Sequence, residues 1–354
     1  MNRKKWAIYT IIVYFCILGS IISLVIIIDP FFHFHAPFKG ISYIIANEQY
    51  SNNGIAKNFT YNAIITGTSM TENFRTQEVD ELFQVQSVRT SFMGEGNKRI
   101  AENLENAILY NPDLELVIRG LDTLWFITDK DWMGYQSYPD YLYDDNIWND
   151  VNYVLNKDII KNNVLPVLKR TLMNMPPSSF DEYIFGDDSK SGKEWVLKNY
   201  KRPAKKDTPV DPADTEMYIT LMQGNLTQNI LPTIKNNPEI TFYIFFPPYS
   251  ICWWDSLNQE GPGVVQRRIN LEYLAIKVLL EYSNVRLFSF FNNYELICNL
   301  NNYVDEIHYT SKVNSLILKW MKNGEYQLTL DNYEDYIKQI SDFYSDYNYD
   351  ALFS

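Results

Sequence analysis

The chain has 354 residues, which suits one large domain or two small ones, and 46% of them are hydrophobic, enough for a packed core. Its net charge of −12 at pH 7 leaves it without the basic surface on which nucleic-acid binding depends. Composition and charge therefore exclude nucleic acid as a partner.

The N-terminal region carries the clearest physical signal. Residues 6–28 are apolar apart from a few small or aromatic polar residues, and as a helix they would span ~34 Å, enough to cross a membrane. Basic residues occupy positions 3 to 5, and no comparable basic cluster follows, so the positive-inside tendency places the N terminus in the cytoplasm. A cleaved signal peptide would have a shorter apolar region and a small-residue cleavage site. We therefore expect residues 1–28 to be a retained single-pass anchor in the cell membrane, with the remaining chain extracytoplasmic.

Residues 29–60 form a juxtamembrane segment in which His33 and His35 lie two positions apart. Two histidines on one face of an extended segment could ligate a metal, but a complete site needs three or four ligands, and only one other histidine exists. Four phenylalanines in the same stretch favour an aromatic collar at the membrane interface. The sequence predicts neither a metal nor a cofactor.

From residue 61 onward, short apolar runs that indicate buried strands alternate with segments of helical periodicity. The predicted strands are 63–66, 84–89, 114–120, 240–246 and 285–290, and the predicted helices are 97–110, 213–235, 264–282 and 308–321. Such alternation is typical of a parallel sheet with helices on both faces. The predicted fold class is α/β, with three layers in the order α/β/α around a central parallel sheet.

Two regions lie outside this alternation. The stretch from about residue 123 to residue 212 is rich in Trp, Tyr and Asp and is too long for a simple loop. We therefore expect it to be an insertion that covers the top of the sheet. Residues 326–354 carry Asp, Glu and Tyr at helical spacing, which predicts a peripheral or frayed helix. The core domain is thus expected to extend over residues 61–325.

Ser69 follows the first predicted strand, at a turn from strand to helix. A serine hydroxyl becomes a nucleophile when a base takes its proton and a third group orients that base. His308 is the one histidine outside the juxtamembrane segment, and Asp305 lies three residues before it. Sites of open parallel sheets form at the carboxyl ends of strands, so Ser69 and His308 can reach one crevice. The pattern predicts a catalytic triad of Ser69, His308 and Asp305.

A purely structural role for Ser69 is an alternative. Ser69 and Glu72 have the spacing of a capping box, in which the serine caps a helix N-terminus and the glutamate binds back to it. That interpretation leaves the Asp305 and His308 pair unexplained.

At these residues the chain resembles the SGNH (GDSL-type) hydrolase and acyltransferase superfamily, over most of the region after the juxtamembrane segment and outside the insertion. In that superfamily a serine follows the first strand, a glycine the second and an asparagine the third, and Asp-x-x-His lies near the C terminus. Ser69, Asp305 and His308 match, and Gly94 lies where the oxyanion glycine is expected, with Gly96 as a near alternative. The resemblance implies an SGNH, flavodoxin-like fold.

One position departs from the superfamily pattern, because Asp122 stands where the asparagine of the third block would be. An ionised carboxylate cannot donate to an oxyanion and would repel it. Either Asp122 is protonated, or it points elsewhere, or another donor substitutes for it. Asn73 is a candidate for that donor, since four residues after Ser69 on a helix it would share a face with the serine. A helix-surface role for Asn73 is equally open.

Three aromatic residues follow the fourth predicted strand and are expected at the same rim: Tyr249, Trp253 and Trp254. Exposed there, they would bind substrate by stacking on sugar rings or closing over an acyl chain. The alternative is a hydrophobic plug beneath the insertion, since large aromatic side chains are mostly buried.

The anchor and the Gly-Thr-Ser-Met turn look most like an extracytoplasmic group of the superfamily, similar to proteins of alginate O-acetylation and teichoic-acid D-alanylation. That resemblance implies a serine esterase or O-acyltransferase acting on an acylated cell-envelope glycan or polymer, with a membrane acyltransferase as a partner. Whether water or an alcohol accepts the acyl group is open. The alternative is an inactive SGNH-like scaffold that binds envelope polymer or membrane proteins.

Overall fold

The N-terminal apolar segment is one continuous helix, followed by a chain in which helices and strands alternate. The computed structural model describes residues 3–135, 138–182 and 188–353. The α-helices are α1 (Arg3–Ile28), α2 (Glu48–Asn58), α3 (Thr76–Phe83), α4 (Asn97–Tyr110), α5 (Val151–Val154), α6 (Lys157–Ile159), α7 (Leu165–Leu172), α8 (Lys193–Asn199), α9 (Pro212–Asn225), α10 (Leu231–Asn236), α11 (Ile251–Gln259), α12 (Val264–Leu279), α13 (Tyr294–Cys298), α14 (Ser311–Asn323) and α15 (Tyr333–Asp346). The strands are β1 (Ala63–Gly67), β2 (Ser87–Ser91), β3 (Leu116–Gly120), β4 (Thr241–Phe246), β5 (Val285–Ser289) and β6 (Gln327–Leu328).

The chain divides into two compact units. The N-terminal unit comprises Met1–Thr60 and Ser137–Tyr183, and the sheet unit comprises Tyr61–Gln136 and Ile184–Ser354. The middle of the predicted insertion therefore belongs with the N-terminal residues, while its two flanks belong with the sheet.

Helix α1 is long and apolar enough to cross a membrane, with 26 residues and a mean hydropathy of 3.0 over an 18-residue stretch. At 1.5 Å per residue it is ~39 Å long, which exceeds the hydrocarbon thickness of a bilayer. By length and composition, α1 is the one helix among the described residues that could span a membrane.

The segment after α1 is held by a buried carboxylate. Asp29 accepts hydrogen bonds from the Tyr153 hydroxyl at 2.8 Å and from the backbone N–H of His33 at 3.0 Å. Phe31 and Phe32 are 3% and 1% exposed, so these two pack into the N-terminal unit and do not form the expected membrane collar.

The two histidines of this segment are engaged in hydrogen bonds within the N-terminal unit. His33 Nε2 lies 2.9 Å from Asp150, and both ring nitrogens of His35 lie within 2.9 Å of backbone carbonyl oxygens. Across the described ranges, no three His, Cys, Asp or Glu side chains are grouped as metal ligands would be.

The sheet unit is built on six strands in the order β2-β1-β3-β4-β5-β6. The first five pair in parallel, and β6 pairs antiparallel with β5, so the sheet is mixed and mostly parallel where a wholly parallel sheet was expected. Every residue of β1, β2 and β3 is buried, as in sheets covered on both faces. The observed class is α/β, consistent with an α/β/α arrangement.

Strand order explains where a site can form. β1 lies between β2 and β3, so the chain leaves β1 toward one side of the sheet and then crosses to the other. At such a switch point the loops after neighbouring strands diverge and leave a crevice at their carboxyl ends. The loops after β1 and β3 carry Ser69 and Asp122, respectively.

Two predicted elements differ in detail from the structure. The second strand begins at Ser87, three residues later than predicted, because Gln84 ends α3 with a left-handed conformation. The helix predicted at 213–235 is found as α9 and α10 joined by a π-helical segment, Leu226–Ile230, with Pro232 in the first turn of α10. The π segment accommodates the missing N–H of the proline without ending the helical path.

The C-terminal segment is packed, contrary to the expectation of a peripheral helix. Tyr336, Ile340 and Tyr344 of α15 are buried, and the Tyr344 ring stacks on Trp254 with centroids 3.8 Å apart. The Tyr344 hydroxyl also donates to the Phe291 carbonyl at 2.6 Å. Helix α15 is therefore part of the core of the sheet unit.

We predict that Tyr344→Ala lowers the free energy of unfolding by about 3–5 kcal/mol, because it removes a fully buried aromatic ring and leaves a cavity. Urea unfolding of the full-length chain in detergent micelles measures this change. Leu330→Ala is the control, since Leu330 is 70% exposed and its loss should change stability by less than about 0.5 kcal/mol. Equal stabilities of the two variants would contradict the packing described for α15.

Candidate active site

The turn after β1 presents the serine hydroxyl. Gly67 ends the strand with φ of 151°, a conformation that side chains disfavour, and Ser69 then opens a short 3-10 helix, Ser69–Thr71. The helix cap is Thr68, whose hydroxyl accepts the Met70 N–H at 3.3 Å. The capping-box alternative for Ser69 is therefore wrong, and the Ser69 hydroxyl lies instead 2.8 Å from His308 Nε2.

His308 lies in the loop before α14, not in the helix as predicted, because α14 begins at Ser311. A bridge between Tyr303 and Tyr309 closes this loop, and the Val304 N–H donates to the His308 carbonyl at 2.9 Å. The Tyr309 hydroxyl donates to the Met70 carbonyl at 2.7 Å, which ties the histidine loop to the serine turn.

Asp305 organises this loop from within. One carboxylate oxygen accepts the backbone N–H groups of Ile307 at 2.8 Å and His308 at 2.6 Å, and the other lies 2.8 Å from His308 Nδ1. Contact with Nδ1 fixes the ring so that Nε2 faces Ser69. The Asp-x-x-His spacing thus forms one hydrogen-bonded turn that holds backbone and imidazole together.

The charges around His308 favour its protonated form. Burial alone would lower the pKa of His308, but the hydrogen bond and charge of Asp305, with the negative charges of Asp122 and Glu72, outweigh burial and raise the pKa above 6.5. Burial alone would likewise raise the pKa of Asp305, yet its bonds to His308 and the loop backbone lower it. Such a pair stabilises the imidazolium that forms when histidine takes a proton.

Asp122 is buried and engaged on both oxygens. It accepts hydrogen bonds from the Tyr249 hydroxyl, from the Leu124 N–H at 3.0 Å and from the Thr68 hydroxyl at 3.2 Å. Burial raises the pKa of Asp122, against the lowering effect of these donors. The carboxylate therefore positions Thr68, the residue before Ser69, and it supplies no donor for an oxyanion.

The two predicted oxyanion residues lie in different settings. Asn73 lines a cleft beside Ser69 and His308, but it follows the 3-10 turn and is not on an α-helix, so the predicted helical face is wrong. Gly94 lies in the turn after β2, the strand next to β1, with φ of 64°, a left-handed conformation that suits glycine. The cleft holds about 10 Å³ and is lined by Ser69, Met70, Asn73, Val304, His308, Tyr309 and Asn314.

The three aromatic residues predicted to bind substrate lie in the core. Tyr249, Trp253 and Trp254 are at most 4% exposed, and Tyr249 is bonded to Asp122. Trp253 stacks on Phe291 in a nearly parallel orientation. In this placement they form the hydrophobic plug considered as the alternative and present no face to a ligand.

Sequence reasoning missed Asn314 and Tyr309 as residues of the site. Asn314 belongs to no motif. It reaches the cleft because α14 begins only three residues after His308, so that a residue of its first turn lies close to the histidine loop. Its only sequence signal is a polar residue at an otherwise apolar position of the helix. Tyr309 adjoins the histidine, but its bond across to Met70 depends on the loop fold.

We predict that His308 titrates above pH 6.5 and that Asp305→Asn lowers its pKa, because the variant removes the charge that favours the imidazolium. NMR of histidine-labelled full-length chain in micelles measures this, since only three histidines are present and His308→Gln assigns the signal. Neutral His308, which acts as the base, becomes the major form as the pH rises through that pKa. The reactivity of Ser69 should therefore rise over the same pH range. Asp331→Asn, on an exposed turn, is the control; a midpoint below 6.5 in the unsubstituted chain would contradict the assignment.

Comparison with known proteins gives few relatives. No model of a known protein family matches the chain, and no curated protein matches it. A solved structure described in provisional terms as a platelet activating factor from Streptococcus pneumonia is similar, with 11% identity, a TM-score of 0.39 and coverage of 78% of this chain and 90% of that one. A likeness at this level carries no conclusion about activity.

Proposed function

We propose that the protein is a membrane-anchored serine esterase or O-acyltransferase. The observation that carries the proposal is a chain of two hydrogen bonds. One joins Ser69 Oγ to His308 Nε2 and the other joins His308 Nδ1 to Asp305, each at 2.8 Å. Nucleophile, base and orienting carboxylate in this order are the arrangement that activates a serine.

Acyl transfer to the serine follows from this arrangement. Ser69 Oγ attacks an ester carbonyl carbon while His308 Nε2 takes the hydroxyl proton. The imidazolium is held by Asp305, and it gives the proton to the leaving alcohol when the tetrahedral intermediate collapses. The acyl group remains on Ser69 until a second hydroxyl removes it.

The developing oxyanion requires donors near Ser69. The backbone N–H groups of Ser69 and Gly94 are the proposed donors, and neither donates to another atom of the described residues. Asn73 is the proposed side-chain contributor, since it lines the same cleft. Asp122, which replaces the superfamily asparagine, takes the positioning role described above.

Substrate and location follow from the anchor and the resemblance. Helix α1 would anchor the chain in the membrane, and the basic residues at its start favour a cytoplasmic N terminus. The proposed substrate is an acylated cell-envelope glycan or polymer, and the proposed partner is a membrane acyltransferase. An enzyme anchored at the extracytoplasmic face of the cell membrane suits substrates that are themselves fixed at that face.

We predict that the full-length chain in micelles reacts with a fluorophosphonate probe and hydrolyses an activated aryl acetate. Ser69→Ala and His308→Ala should each lower ester turnover by at least about 1,000-fold, because each removes a member of one catalytic unit. Matched controls are Ser283→Ala, at an exposed residue, and His35→Ala, at a half-buried residue of the N-terminal unit; neither residue lines the cleft.

Intact-protein mass spectrometry and turnover assays give the readout. Loss of labelling in both site variants, with both controls active, supports the enzyme. An unsubstituted chain that neither labels nor turns over would favour the scaffold alternative instead.

Topology can be measured independently of activity. We predict that a reporter enzyme active only outside the cytoplasm is active when fused after residue 353 and inactive when fused before α1. Changing the three basic residues at positions 3 to 5 to glutamine should weaken this asymmetry, because they supply the positive-inside signal. A reporter enzyme that is active only in the N-terminal fusion would indicate the opposite orientation and contradict the proposal.

A further inference from the structure

A buried amide lies beside the serine and the histidine without a bonding partner. Asn314 is 2% exposed, and neither its Nδ2 nor its Oδ1 has a hydrogen-bond partner among the residues the structure describes. It lines the cleft that also contains Ser69 and His308. A buried polar group in this state is unfavourable unless another molecule supplies the missing bonds.

Other buried asparagines of the sheet unit show how such groups are normally satisfied. Asn225 Nδ2 donates to the Thr128 carbonyl at 2.9 Å, and its Oδ1 accepts from Asn229 at 3.1 Å. Asn103 on α4 is also buried and has no hydrogen-bond partner within the described ranges, but it does not line the cleft. Asn314 therefore combines two features, an unsatisfied amide and a place next to the reacting hydroxyl.

The chemistry of the cleft limits what can occupy it. Its volume of about 10 Å³ holds roughly one water-sized group. An amide offers a donor and an acceptor, and a hydroxyl needs both an acceptor and a donor. The nearby His308 Nε2 is the atom that exchanges protons with reacting oxygens in the proposed mechanism.

We infer that Asn314 binds the second hydroxyl, from water or from a small alcohol, that removes the acyl group from Ser69. This inference rests on the proposed function and assigns the accepting side of the reaction. Asn314 Nδ2 donates to the hydroxyl oxygen and holds it beside His308. Asn73 lines the same cleft.

The step balances with the groups named. The hydroxyl oxygen forms a bond to the acyl carbon and gives its proton to His308 Nε2. The tetrahedral intermediate collapses, the bond from the acyl carbon to Ser69 Oγ breaks, and His308 returns the proton to Ser69. The products are a carboxylic acid or a new ester and the free serine.

Two reactions of the full-length chain separate this role from acylation. Fluorophosphonate labelling requires Ser69 and His308 but no second hydroxyl, whereas turnover of an aryl acetate requires both. Asn314→Leu should label within about twofold of the unsubstituted rate, lose about tenfold or more in turnover, and accumulate acetylated protein in intact mass spectra. Asn103→Leu is the matched control and should leave both rates unchanged.

The outcomes distinguish the hypotheses. Equal losses of labelling and turnover in Asn314→Leu, or no change in either, would overturn the inference, while an unsubstituted chain that fails to label would overturn the proposed function itself. Circular dichroism should show a raised unfolding temperature for both leucine variants, because each removes an unpaired buried amide. If the leucine variant does not fold, Asn314→Ala, which lacks the amide and adds no charge beside His308, is expected to show the same split between labelling and turnover.

Discussion

The site depends on the carboxylate of Asp305. Its two oxygens bind different parts of one loop, the backbone N–H groups of Ile307 and His308 on one side and the imidazole on the other. Loop shape and ring orientation are therefore set by the same group. Without it, the pKa of His308 would lose its largest raising influence and the ring would lose the contact that directs Nε2 to Ser69.

A second carboxylate, which is buried, supports the turn that carries Ser69. Asp122 accepts hydrogen bonds from the Thr68 and Tyr249 hydroxyls at the switch point of the sheet. The bond to Thr68 holds the turn that carries Ser69 in place. These contacts give Asp122 a structural role in supporting the serine turn. In the proposed mechanism the oxyanion donors are backbone N–H groups and a side chain of the cleft.

Sequence predicted those features whose causes are local. Buried strands follow from apolar runs such as residues 63–66, and the Asp305 and His308 pair follows from a spacing that closes one turn. The sequence alone could not show that Thr68, and not Ser69, caps the 3-10 helix, because both residues carry a hydroxyl and lie next to each other at its start. Asn314 and the packing of Tyr344 on Trp254 depend on contacts between elements distant in sequence. The same holds for the burial of Tyr249, whose sequence position after a strand fits a rim as well as a core.

The central claim is that Ser69 is a nucleophile activated by His308. Peptide mapping of the full-length chain after reaction with a fluorophosphonate tests it most directly, because the adduct marks the reacting atom. The account predicts a single phosphonylated peptide containing Ser69, formed faster as pH rises through the pKa of His308. Modification of a different serine, or a rate at Ser69 that does not change with pH across that range, would contradict it.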